Sequence, residues 1–116
     1  MLTAWDIDGT IDAEPSLMQS LMSAVKAAGH QVVVLTGCGQ EKPEASDIKA
    51  KGEYLQSLGC AHCYDQLVVL GEPAAENKAL WLKNSGADLL VDNALANAKA
   101  AAGICPVLVP WQSRKK

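Results

Sequence analysis

Phenylalanine is missing from this 116-residue chain, and the other aromatics are three Trp and two Tyr. Any core must therefore be built from Leu, Val, Ile, Ala and Met. No apolar run approaches the roughly 20 residues that cross a bilayer, which argues against a membrane helix. The opening residues, Met1 to Asp6, show neither a basic cluster nor a long apolar stretch, so no secretory leader is expected and the expected location is cytoplasmic. A broad positive face is lacking too. Lys and Arg number 10 against 13 Asp and Glu, and three of the positives are Arg114, Lys115 and Lys116 at the end. The rest of the chain has 7 positives against 13 negatives, which opposes strong binding to duplex DNA. The basic end reads as a solvated tail.

Cysteine is sparse. Cys60 and Cys63 form one close pair, while Cys38 and Cys105 sit beside different predicted strands. A structural zinc site takes four ligands, commonly as two paired knuckles, so free cytosolic thiols are the expected state. What remains is an ordinary globular composition of a length that suits one domain spanning 1–116.

Short apolar runs alternate with helical patterns throughout. Strands are predicted over 2–6, 31–35, 67–70, 88–91 and 106–109, each too uniformly apolar for a sheet with one wet face. The first helix opens with Pro15, carries a stripe of Leu17, Leu21, Val25 and Ala28, and stops at Gly29. The second carries Ala45, Ile48, Leu55 and Leu58, stops at Gly59, and is interrupted by Gly52. A third is predicted over 74–85 before Gly86, and a short Ala-rich fourth follows Asn93 and ends near Gly103. Alternation of this kind predicts an α/β fold: a three-layer α/β/α Rossmann-like arrangement around a five-stranded parallel sheet. In such sheets ligands bind beyond the carboxyl ends of the strands.

Polar residues gather at those predicted ends. Asp6-Ile7-Asp8-Gly9-Thr10 follows the first strand, Thr36-Gly37 the second, Lys78 lies just past the third, and Asp92-Asn93 follows the fourth. Each has an ordinary reading: an Asp-Gly turn, a Thr-Gly turn, a solvated lysine, and a helix N-cap. Their order gives them weight, because a parallel sheet would bring two acids, a hydroxyl, an amine and a third acid to one edge.

In that order the four segments resemble the motifs of the haloacid dehalogenase-like superfamily. The resemblance runs from the first strand past the fourth. It implies a phosphatase in which Asp6 is the nucleophile that forms an aspartyl-phosphate and Asp8 is the general acid and base. It further implies that Thr36, Gly37 and Lys78 bind the phosphoryl group. Mg²⁺ would be held by Asp6, the Asp8 main-chain carbonyl and Asp92. Two departures stand out: Asn93 and Asn97 where relatives often carry a further acid, and Cys38 where some carry an Arg. Neither the stretch after Gly9 nor that after Leu70 has room for the cap domain that usually closes such sites, so the implied site is open. An open site suits a bulky phosphorylated substrate. Tyr64-Asp65-Gln66-Leu67 faintly resembles the phosphatase domains of polynucleotide kinase-phosphatases, although the acidic body opposes strong nucleic-acid binding. A homo-oligomer is compatible with the sequence. The competing reading is a noncatalytic binding or regulatory domain that keeps the fold.

Overall fold

The computed structural model describes residues 1–111; the basic end formed by Arg114, Lys115 and Lys116 lies outside them. Five parallel strands, β1 (Leu2–Trp5), β2 (Gln31–Gly37), β3 (Gln66–Leu70), β4 (Leu89–Val91) and β5 (Val107–Leu108), form one sheet in the order β3-β2-β1-β4-β5. Helices α1 (Pro15–Ala27), α2 (Ala45–Ser57), α3 (Ala74–Ser85) and α4 (Leu95–Ala101) connect them. The fold class is the α/β, Rossmann-like arrangement expected from the alternation.

Period-two geometry sends alternate strand residues to opposite faces. Trp5, Val32, Val34 and Val91 pack with Met18 and Met22 of α1 and Leu55 of α2. Ala4, Leu35 and Leu90 pack with Leu82 of α3 and Ala101 of α4. Both faces are thus covered, which explains why the strands carry no polar alternation. Trp5 fills the wide first face in place of a phenylalanine, and its indole N–H donates to Thr3 Oγ1 at 2.9 Å.

The stripe expected on α1 is corrected in part by the structure: Val25 packs against the core, but the earlier turns bury other residues. Met18 and Met22 are buried, whereas Leu17 and Leu21 are 51% and 43% exposed. Leu and Met satisfy the same helical spacing, one residue out of phase, and only docking decides which pair faces the sheet. Helix α2 also departs from expectation. Leu55 is buried and Leu58 packs at the core edge, but Ala45 is exposed and Ile48 is 47% exposed, so the first half of α2 projects past the sheet. The helix ends match the glycine punctuation: Gly86, at φ 69°, closes α3 with its N–H on the Leu82 carbonyl.

Candidate functional site

The chain moves outward from β1 through β2 to β3, then returns to place β4 and β5 on the other side of β1. Adjacent strands β1 and β4 therefore flank the topological switch point, where such sheets open a crevice at their carboxyl ends. Asp6 leaves β1 and Asp92 leaves β4 at this edge. The Asp6 N–H donates to the Val91 carbonyl at 3.0 Å, tying the two exits together.

Beyond Asp6 the chain makes a wide turn, Ile7–Ile11, with Ile11 N–H on the Asp6 carbonyl and Asp12 N–H on the Ile7 carbonyl. Inside this turn Gly9 reverses the chain, at φ 77° and ψ 0°, a conformation that glycine adopts without steric cost. The turn buries Ile7, Thr10 and Ile11 and leaves Asp8 at the surface. The sequence predicts a turn here but not its width.

Lys78 joins the two exits. Its Nζ lies 2.6 Å from Asp6 Oδ1 and 3.0 Å from Asp92 Oδ2, and all three residues are buried. The ordinary reading of a solvated helical lysine is thereby corrected: Lys78 is 2% exposed, on the inner side of α3 just beyond β3. Two carboxylates facing one ammonium leave the cluster with an excess negative charge when all are ionised. Burial is the largest influence on Asp6 and, with help from the Asp92 charge, raises its pKa from 3.8 to about 6 against the opposing pull of Lys78.

The surrounding contacts hold the carboxylates in place. Thr10 Oγ1 donates to Asp6 Oδ2 at 3.4 Å and accepts the Asn93 N–H at 2.9 Å. Asp92 Oδ1 accepts the Ala94 N–H at 2.8 Å, and Asn97 Nδ2 donates to Asp92 Oδ2 at 2.8 Å. Asp92 thus closes a local turn ahead of α4 and belongs to the cluster at once; the N-cap of α4 is Ala94, with no side-chain cap bond, so the N-cap reading of Asp92 is corrected. Asn97, a departure from the acidic pattern, acts as a donor that orients Asp92.

The other expected site residues stand apart from this cluster. The Asp8 carboxylate is 67% exposed and lies 3.7 Å from Lys51 Nζ on α2. Thr36 and Gly37 end β2 at the same sheet edge, but the Thr36 hydroxyl is buried and donates to the Gly37 carbonyl at 3.4 Å. Sequence reasoning missed Thr10, Asp12, Lys51, Tyr54 and Trp111 as site contacts. Tyr54 O–H donates to Asp12 Oδ2 at 2.8 Å, Asp12 Oδ1 accepts the Gly9 N–H at 2.8 Å, and Trp111 Nε1 donates to the Gly9 carbonyl at 3.0 Å. Nothing local marks Lys51 or Tyr54, since their partners lie more than 40 residues earlier.

Among the described residues, no group of three or more His, Cys, Asp or Glu side chains is arranged to hold a metal ion. The donor set implied by the resemblance is smaller: the Asp6 and Asp92 carboxylates and one main-chain carbonyl. Its chemistry fits a hard divalent cation, because the donors are all oxygen and the buried cluster carries negative excess. The cysteines form no disulfide. Cys60 and Cys63 are buried, Cys63 Sγ donates to the Cys60 carbonyl at 3.1 Å, and burial pushes the Cys63 thiol up to about 12. Asp65, from the segment Tyr64-Asp65-Gln66-Leu67, accepts the Val32 N–H at 2.8 Å and pairs with Lys26. It is thus engaged at the opposite end of the sheet. No helix among the described residues is long and apolar enough to cross a membrane. No protein-family model, curated protein or solved structure matches the chain.

Proposed function

We propose that the protein is a Mg²⁺-dependent phosphomonoesterase of haloacid dehalogenase-like type that works through an aspartyl-phosphate on Asp6. The observation that carries this reading is the buried Asp6–Lys78–Asp92 cluster at the switch point of the sheet. A protein seldom buries two acids and a lysine without a use for them, since desolvation opposes each charge.

Asp6 attacks phosphorus through one carboxylate oxygen, and the bond to the leaving oxygen breaks. Asp8 delivers a proton to the departing alkoxide, which leaves as an alcohol. Water then attacks the phosphorus of the acyl phosphate, Asp8 accepts its proton, and inorganic phosphate departs as the Asp6 carboxylate is restored. Lys78 offsets negative charge on the phosphoryl oxygens and steadies Asp6. Thr36 and Gly37 border the phosphoryl position from β2. Asp6, the Asp8 carbonyl and Asp92 would hold Mg²⁺, which would supply the charge that lets a dianion approach these acids. The exposed Asp8 carboxylate suits its task, since it must meet a leaving group that extends into solvent.

The test is incubation with an aryl phosphate, with and without Mg²⁺, followed by acid quench and mass analysis. The expected result is Mg²⁺-dependent release of phosphate and a trapped phosphoryl group on Asp6, both lost in Asp6→Asn. Full activity in excess chelator, or a phosphoryl group on another residue, would overturn the reading. Failure of every phosphate ester, with Mg²⁺ bound or not, would favour the noncatalytic binding domain.

A further inference from the structure

We infer that helix α2 positions the acid–base turn, with Lys51 orienting the Asp8 carboxylate and Tyr54, through Asp12, fixing the Gly9 amide. This inference rests on the phosphatase reading above and assigns that site two residues no motif supplies.

Lys51 and Tyr54 are three apart on α2 and so share one helical face. Lys51 Nζ reaches Asp8 Oδ2 at 3.7 Å, and its side chain is 23% exposed against 67% for Asp8. The lysine is the better anchored of the two. Tyr54 O–H and Asp12 form a two-step link to the Gly9 N–H, each step 2.8 Å. Trp111 holds the Gly9 carbonyl from another direction at 3.0 Å. Gly9 carries the positive φ that reverses the turn, and a glycine backbone has no side chain to confine it there, so these two contacts are what hold it.

Stability does not account for these contacts. An exposed ion pair contributes little to folding, and a Tyr hydroxyl on a surface acid contributes about as little. Geometry does account for them. Asp8 has to meet a leaving oxygen in one step and a water in the next, and an unrestrained surface carboxylate spends much of its time elsewhere. Helix α2 follows β2, and through Lys51 and Tyr54 it brings a rigid element against the turn.

The experiment compares Lys51→Ala, Lys51→Arg and Tyr54→Phe by rapid quench with an aryl and an alkyl phosphate. Phosphoenzyme formation from the aryl ester needs little proton donation and should stay within about twofold of wild type. Formation from the alkyl ester should fall about tenfold in Lys51→Ala and Tyr54→Phe, in kcat rather than KM, with most of it restored in Lys51→Arg. Amide exchange at Gly9, followed without substrate, should quicken in Tyr54→Phe. Equal losses on both esters, a loss confined to KM, or unchanged Gly9 exchange would overturn the positioning role while leaving the phosphatase reading intact. A wild-type protein that forms no phosphoenzyme from either ester would overturn both.

Discussion

At the scale of single residues, the molecule is organised by one buried amine between two buried acids. Removing the amine strands both carboxylates away from water, and breaking a buried pair this way costs about 3–5 kcal/mol. Lys78→Met should therefore lose stability of that order in denaturant melts, and part of the loss should return at pH 5, where the acids can protonate. Asp6→Asn should behave oppositely, because Lys78 keeps Asp92 and the cluster becomes neutral. The pH dependence follows from the raised pKa of Asp6. A carboxyl whose folded value of about 6 exceeds its unfolded 3.8 favours folding below pH 4, and that advantage disappears as pH rises through 6. In chelator, the stability of Asp6→Asn relative to wild type should rise between pH 4 and 7 by about 2–3 kcal/mol. A flat difference would show that Lys78 holds Asp6 ionised throughout.

At the scale of elements, two glycines behave in opposite ways. Gly52 sits inside α2, where glycine is less favourable than alanine. An added Cβ there would meet Leu67 Cδ2 at 3.9 Å, an ordinary contact. Gly52→Ala should raise stability by about 0.5–1 kcal/mol without altering turnover. Gly71 follows β3, and an added Cβ would collide with the carbonyl of Glu41, in the loop that follows Thr36-Gly37. Gly71→Ala should force that loop aside and lower both stability and activity, seen in melts and in KM for phosphate esters. Gly52 was expected from the sequence to interrupt the second helix, because propensity is local, but α2 runs unbroken through it. The demand for Gly71 was not readable in the sequence, since it comes from a loop 30 residues earlier.

At the scale of the whole molecule, neither connection that could carry a cap is long enough for one. Four residues or fewer separate the wide turn from α1 and β3 from α3, so nothing folds over the carboxylates from either place. Small phosphate esters should turn over slowly, because nothing excludes water or grips the leaving group. A steady-state comparison of a small ester with a phosphorylated oligonucleotide end or phosphopeptide measures this, and high efficiency of a monomer on the small ester would contradict it. Metal binding is measurable apart from activity. Mg²⁺ should raise the unfolding midpoint of wild type by mass action, about 2.7 kcal/mol at 100 times Kd. Asp92→Asn should fold as well but respond less, having lost one of the two carboxylates proposed to hold the ion.

The sequence alone determined the alternation of strands and helices, the helix ends at glycine, and the order of Asp6, Asp8, Thr36, Lys78 and Asp92 along strand ends. These are local properties: apolar periodicity, backbone freedom, and position relative to a strand. Tertiary structure decided which of those residues meet. It placed β4 beside β1, so that Asp6, Lys78 and Asp92 converge while Asp8 stays at the rim and Thr36 turns inward. It chose Met18 and Met22 over Leu17 and Leu21 for the inner face of α1, where the helical spacing suits either pair. It also brought Lys51, Tyr54 and Trp111 to the Asp8–Gly9 turn from distant parts of the chain. Such pairings depend on how helices dock across the sheet, and no stretch of sequence contains both partners.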